Sequence, residues 1–161
     1  MKQTANLDRF QQNMRPGVIT LDGMLGRDAR RLIDILDEDA AAVRRLKTTH
    51  QTIAARMQEL RDAGAKGLGL RIPVIDHFEV RVDNVRGKLP CPFEDGVLQK
   101  SFIEVENQKT GQSVRFTDLH IHMIREHGFY EGHGATFRVD PATLVEVLEI
   151  PPEPDTVLPP R

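Results

Sequence analysis

Near residue 70 the apolar residues of this 161-residue chain change period, from every third or fourth position to every second. That switch divides a helical half from a β-rich half and leaves few architectures open. Before it, the short apolar piece Val18-Ile19-Thr20-Leu21 precedes Asp28, which can cap a helix carrying Ala29, Leu32, Ile33 and Leu36 on one face. Asp37-Glu38-Asp39 suit the start of a second helix, Ala40 to Lys47, although a single continuous helix remains an open alternative. Thr48 or Thr49 can cap another helix, with Ile53, Met57 and Leu60 in line and Gly64 as its stop.

After the switch, Phe78, Val80 and Val82 alternate with polar neighbours, Ile103 and Val105 alternate with Phe102, Glu104 and Glu106, and Val114 and Phe116 mark a third strand. The run from Asn107 to Gln112, with Gly111, reads as a hairpin loop between the last two. Thr117 or Asp118 can cap a helix ending at His127 and Gly128, and Asp140-Pro141 can open a final helix carrying Leu144, Val145 and Leu148. Helices first and strands afterwards, without βαβ alternation, predict an α+β fold. The expected form is a helical N-terminal segment packed on a small antiparallel sheet, then two further helices and a Pro-rich tail. One domain is expected over 1–150, its helical part about 22–66 and its β-rich part about 72–150, with 151–161 as an extended tail. Five of the ten prolines fall in that tail.

Composition narrows the function classes only a little. An apolar share of 39% argues against a wholly disordered chain, and no run reaches the roughly 18 apolar residues that suggest a membrane span. The start lacks a signal-peptide apolar core, and the lone Cys91 suits a reducing compartment, so a cytoplasmic protein without a membrane partner is expected. The net charge of -2 combines +3 over residues 1–70 with -5 over 71–161. Arg27, Arg30, Arg31, Arg44, Arg45, Lys47 and Arg56 invite a helix-turn-helix reading with Thr49 to Thr52 opening a recognition helix. The half is too weakly basic and carries too many acids, so nucleic acid is disfavoured as a partner. A core stripe or a homodimer surface suits those helices better.

The densest chemical feature is the run His120, His122, His127 and His133, four of the six histidines within 14 residues. On a helix, His120 and His122 point about 200° apart and cannot grip one ion together. His122 and His127 have the HxxxxH spacing that zinc sites use when a helix end loosens, and Gly128 permits the loosening. His133 sits on a Gly-punctuated loop able to return to the helix end. Cys91, held between Pro90 and Pro92, can complete a metal set of Cys91, His122, His127 and His133, for which zinc is the expected cofactor. A hairpin followed by a helix resembles the order of a ββα zinc finger, but there is no paired-cysteine knuckle, and Cys91 lies 31 residues before His122. The same residues fit a metal-dependent hydrolase, with Glu126 and His127 as candidate catalytic groups. Arg125, Gly132, Gly134 and Arg138 are candidates for binding a small anionic ligand. The leading expectation is a non-catalytic protein that binds a protein partner or small anion through residues 120–138. The hydrolase and a nucleic-acid-binding helical module stand behind it.

Overall fold

A computed structural model of the chain describes residues 2–154, so the part of the expected tail beyond Pro154 lies outside the described residues. The fold is α+β, with five helices and a four-stranded antiparallel sheet in the order β1-β2-β3-β4 among the described residues. The helices are α1 (Ala5–Asn13), α2 (Leu32–Arg45), α3 (His50–Ala65), α4 (Asp118–His127) and α5 (Pro141–Val147). The strands are β1 (Ile72–Pro73), β2 (Phe78–Pro90), β3 (Val97–Asn107) and β4 (Ser113–Phe116). Among the described residues, no helix is long and apolar enough to cross a membrane.

Alternation decides which face of the sheet is covered. Phe78, Val80, Val82, Ile103, Val105, Val114 and Phe116 are buried, and they join Ile53, Met57 and Leu60 of α3 with Ile121 and Ile124 of α4 in one core cluster. Gly64 does not stop α3, which runs on to Ala65. A Cβ at this position would collide with Val80, so glycine lets the helix lie against β2. A second cluster joins Met14, Met24, Leu32, Ile35, Cys91, Phe93, Leu119, Met123 and Phe129. α4 is shared by both clusters, with Leu119 and Met123 in one and Ile121 and Ile124 in the other. The covered faces leave His122 and His127 half-buried and Arg125 and Glu126 exposed.

Three local expectations change. Asp28 caps no helix: α2 begins at Leu32 after Arg31, and the Asp28 carboxylate instead binds Arg30 and accepts from the His133 backbone N–H. The acids 37–39 lie inside one continuous α2 rather than at a second start. α1, which the apolar periodicity did not suggest, is capped by Thr4, whose hydroxyl accepts from the Leu7 N–H.

The sheet holds one further surprise. β2 and β3 extend beyond the alternating residues, and their register shifts between Asn84 and Lys88 before pairing resumes through Leu89–Leu98 and Pro90–Val97. Such an irregularity bends a strand pair. Here Leu89 and Leu98 of the distal arm pack against the second core cluster. The hairpin therefore ends, at Cys91 to Gly96, beside the C-terminal half of α4.

Candidate metal centre

The hairpin turn is a rigid knuckle. The Cys91 N–H donates to the Gly96 carbonyl at 2.8 Å and the Glu94 N–H to the Cys91 carbonyl at 2.9 Å, with Glu94 at a φ of +63°. Pro92 and Phe93 are buried, so the turn presents Cys91 and Asp95 toward α4 while its middle packs inward. α4 is equally defined. The Thr117 hydroxyl accepts from the His120 N–H, and Gly128, in the left-handed region at φ +63°, closes the helix. The closure follows directly after His127, one helix turn and a residue beyond His122.

Knuckle and helix end bring four donors together. One ligand atom from each of Cys91, Asp95, His122 and His127 lies within 4.8 Å of the other three. Asp95 sits between the imidazoles: His122 Nε2 donates to Oδ1 at 2.9 Å and His127 Nε2 to Oδ2 at 2.7 Å. The His127 ring stacks on Phe93, centroids 4.0 Å apart, which fixes the imidazole's plane. Burial opposes the charge on Asp95, yet hydrogen bonds from Cys91, His122 and His127 hold its carboxyl well below the ordinary carboxylate range. Burial, followed by the Asp95 carboxylate, pushes the Cys91 thiol up to about 12. A metal at this point would replace the thiol proton. A tetrahedral zinc needs ligand atoms about 3.3–3.8 Å apart, so adjustments of about 1 Å in the half-exposed side chains would close the set.

Three of the four ligands chosen from the sequence thus meet, and His133 does not. Its Nε2 lies 3.0 Å from Glu38 Oε1, and its loop is tied elsewhere: Gly132 N–H to the Met24 carbonyl and Arg27 N–H to the His133 carbonyl. Asp95 takes the fourth position. Exposed acids are too common for sequence alone to select this one, but a Cys-x-x-x-Asp spacing in a turn bounded by Pro90 and Gly96 is a usable signal.

The remaining candidates are engaged otherwise. Glu126 is exposed and pairs with Arg125 at 3.2 Å, and neither is among the four converging donors. Arg138 grips Asp39 with two nitrogens at 2.6 and 2.8 Å and also donates to Asp140 and the Glu131 carbonyl. Gly132 lies so close to Leu25 that a Cβ would clash with its backbone. The loop 128–134 is a docking loop against residues 24–28, and it carries Phe129 and Tyr130 into the core. His120 is buried. Its Nδ1 accepts from the Thr117 N–H, which leaves Nε2–H to donate to Glu131 Oε2 at 2.5 Å.

Compared with known protein families, curated proteins and solved structures, the chain matches none of them.

Proposed function

We propose that this is a zinc-binding protein in which Cys91, Asp95, His122 and His127 hold one ion that fastens the hairpin knuckle to the end of α4. The convergence of four donors from two separately built elements carries the reading. The donor types support zinc: one thiolate, two imidazoles and one carboxylate suit a tetrahedral site, and oxygen-seeking cations such as calcium avoid sulfur. Four protein ligands make a closed set, the pattern of zinc that holds a fold. A hydrolytic zinc keeps a position for water, and the candidate base Glu126 is exposed and paired with Arg125. The function that follows is a non-catalytic scaffold whose N-terminal helix and hairpin tip depend on a metal clamp.

The test is metal content in the untagged full chain after chelation and reloading. One zinc per chain is expected, together with the visible bands of tetrahedral thiolate-bound cobalt when Co(II) is substituted. Asp95→Ala and His127→Ala should each lower the zinc content. Failure to retain stoichiometric zinc, or retention undiminished in both variants, would end the proposal.

A further inference from the structure

We infer that α1 is a latch closed by zinc at the knuckle, an inference that rests on the zinc reading above. The two knuckle ligands, Cys91 and Asp95, flank Pro92, Phe93 and Glu94, and α1 grips all three of those residues. Asn13 Nδ2 donates to the Pro92 carbonyl at 2.9 Å, the Phe10 ring lies 5.5 Å from that of Phe93, and Arg9 Nε pairs with Glu94 Oε2 at 2.7 Å. Phe93 in turn is stacked on the ligand imidazole of His127. One ring therefore stands between the metal centre and the helix, and a metal bound at 91 and 95 fixes the shape of the segment that α1 recognises.

Beyond the knuckle, α1 is held mainly by polar contacts at the entry to α2. None of the residues Ala5–Asn13 is buried, and a helix of 9 residues is unstable alone in water. Leu7 and Phe10 are only partly covered, while the first fully buried residue, Met14, follows the helix and hydrogen-bonds through its carbonyl to the Met24 N–H. Arg15-Pro16-Gly17, with Gly17 at φ +83°, supplies a pivot just beyond that anchor.

The latch has a second edge. α2 begins without a side-chain cap of its own, and α1's side of the molecule supplies the missing acceptors. Gln11 Oε1 accepts from the Leu32 N–H at 2.9 Å, and Gln3 Oε1 accepts from the Ile33 N–H at 2.8 Å. Opening α1 would uncover Leu7 and Phe10 and release both N–H donors, so the metal state of the knuckle would be read out at the entry to α2. Linkage makes the effect reciprocal: whatever factor zinc adds to latch closure, closure adds to zinc affinity.

Hydrogen exchange followed by mass spectrometry on the full chain, chelated and then zinc-loaded, tests this directly. Zinc should slow exchange in peptides covering residues 5–13 by about tenfold, within the usual range for coupled sites, and leave the α3 peptides much less changed. Phe10→Ala with Asn13→Ala should weaken zinc binding about as much, measured by competition with a chromophoric chelator. The exposed substitution Arg9→Ala, which leaves the core untouched, should weaken it in the same direction but less. One zinc bound per chain with exchange in α1 unchanged, or with α1 and α3 slowed equally, would overturn the latch and leave the zinc reading standing. No zinc bound would overturn both.

Discussion

The two faces of α4 hold histidines in opposite circumstances. Toward the knuckle, His122 and His127 share a single carboxylate, Asp95, with the Cys91 thiol beside it, and the hydrogen bonds and ion pairs described for Asp95 involve no lysine or arginine. Toward the loop, His120 has its own carboxylate in Glu131, its other nitrogen is occupied by Thr117, and the neighbouring Asp39 is matched by Arg138. The loop side is a closed polar network in which each buried charge has a partner. On the knuckle side, the two imidazoles and the thiol converge on one carboxylate. A dense run of histidines is therefore not one site. Helix geometry sorts it into one half tied into a buried polar network and another half gathered on Asp95, the set proposed to bind zinc.

The sharpest way to break that contrast is to open the closed half. Arg138 and Asp39 are almost fully buried, their side chains 9% and 3% exposed, and removing one partner leaves the other charged and unpaired. Arg138→Ala should lower the free energy of unfolding by about 3–5 kcal/mol, as read by urea denaturation. The loss should be the same with and without zinc. A loss confined to the zinc-loaded protein would mean the two halves are not separate.

Next in size is completion of the other half. Zinc at a hundred times its dissociation constant should stabilise the wild-type fold by about 2.7 kcal/mol if the unfolded chain binds none. Asp95→Cys supplies a second thiolate at the same turn position and should tighten zinc binding, while Asp95→Asn should weaken it. Competition titration orders the three proteins, and an Asp95→Asn affinity equal to that of wild type would remove Asp95 from the ligand set.

How much of this was legible in the sequence follows from how local each cause is. The period change near residue 70, the Thr117 and Gly128 boundaries of α4 and the HxxxxH spacing all depend on residues close together in the chain. α1 is hidden in the sequence because its apolar content is only Ala5, Leu7 and Phe10, and its partners, residues 92–94 and the entry to α2, lie far along the chain. Local sequence points to Asp28 as the start of α2, whereas the acceptors that cap it, Gln3 and Gln11, arrive through space. Spacing alone allows His133 to join the metal ligands because a Gly-rich loop can turn either way. Its direction is set by backbone bonds to Met24 and Arg27 that no spacing encodes. Asp95 was missed for the complementary reason, since only the bend in β2 and β3 carries that turn to the helix.

A smaller effect sharpens the boundary between the halves. Glu131→Gln keeps the shape of the His120 partner but removes its charge, and should destabilise the fold by about 1–2 kcal/mol, in the range for a weakened buried hydrogen bond. Zinc affinity should stay unchanged, because His120 faces away from the knuckle. A parallel fall in zinc affinity would show that α4 transmits strain between its two faces.

The weakest expected effect is a pH dependence that belongs to the closed half alone. His50 Nδ1 lies 2.8 Å from the Tyr130 hydroxyl, and the imidazole is packed against Gly128. Burial lowers the His50 pKa, outweighing the attraction of Asp39, while Arg44 lowers it further. The folded protein thus takes up this proton less readily than the unfolded chain, whose histidine titrates near 6.5. Stability from this source is complete above that value and falls as pH drops below it toward the depressed folded pKa. Unfolding measured in chelator at pH 7.5 and 5.5 should show wild type losing more stability on acidification than His50→Gln, which has no proton to gain. Chelation matters to the reading, since acid also displaces zinc from histidine and thiolate ligands. Equal slopes for the two proteins would mean that the fold takes up the His50 proton as readily as the unfolded chain does, and burial would then not be what governs this imidazole.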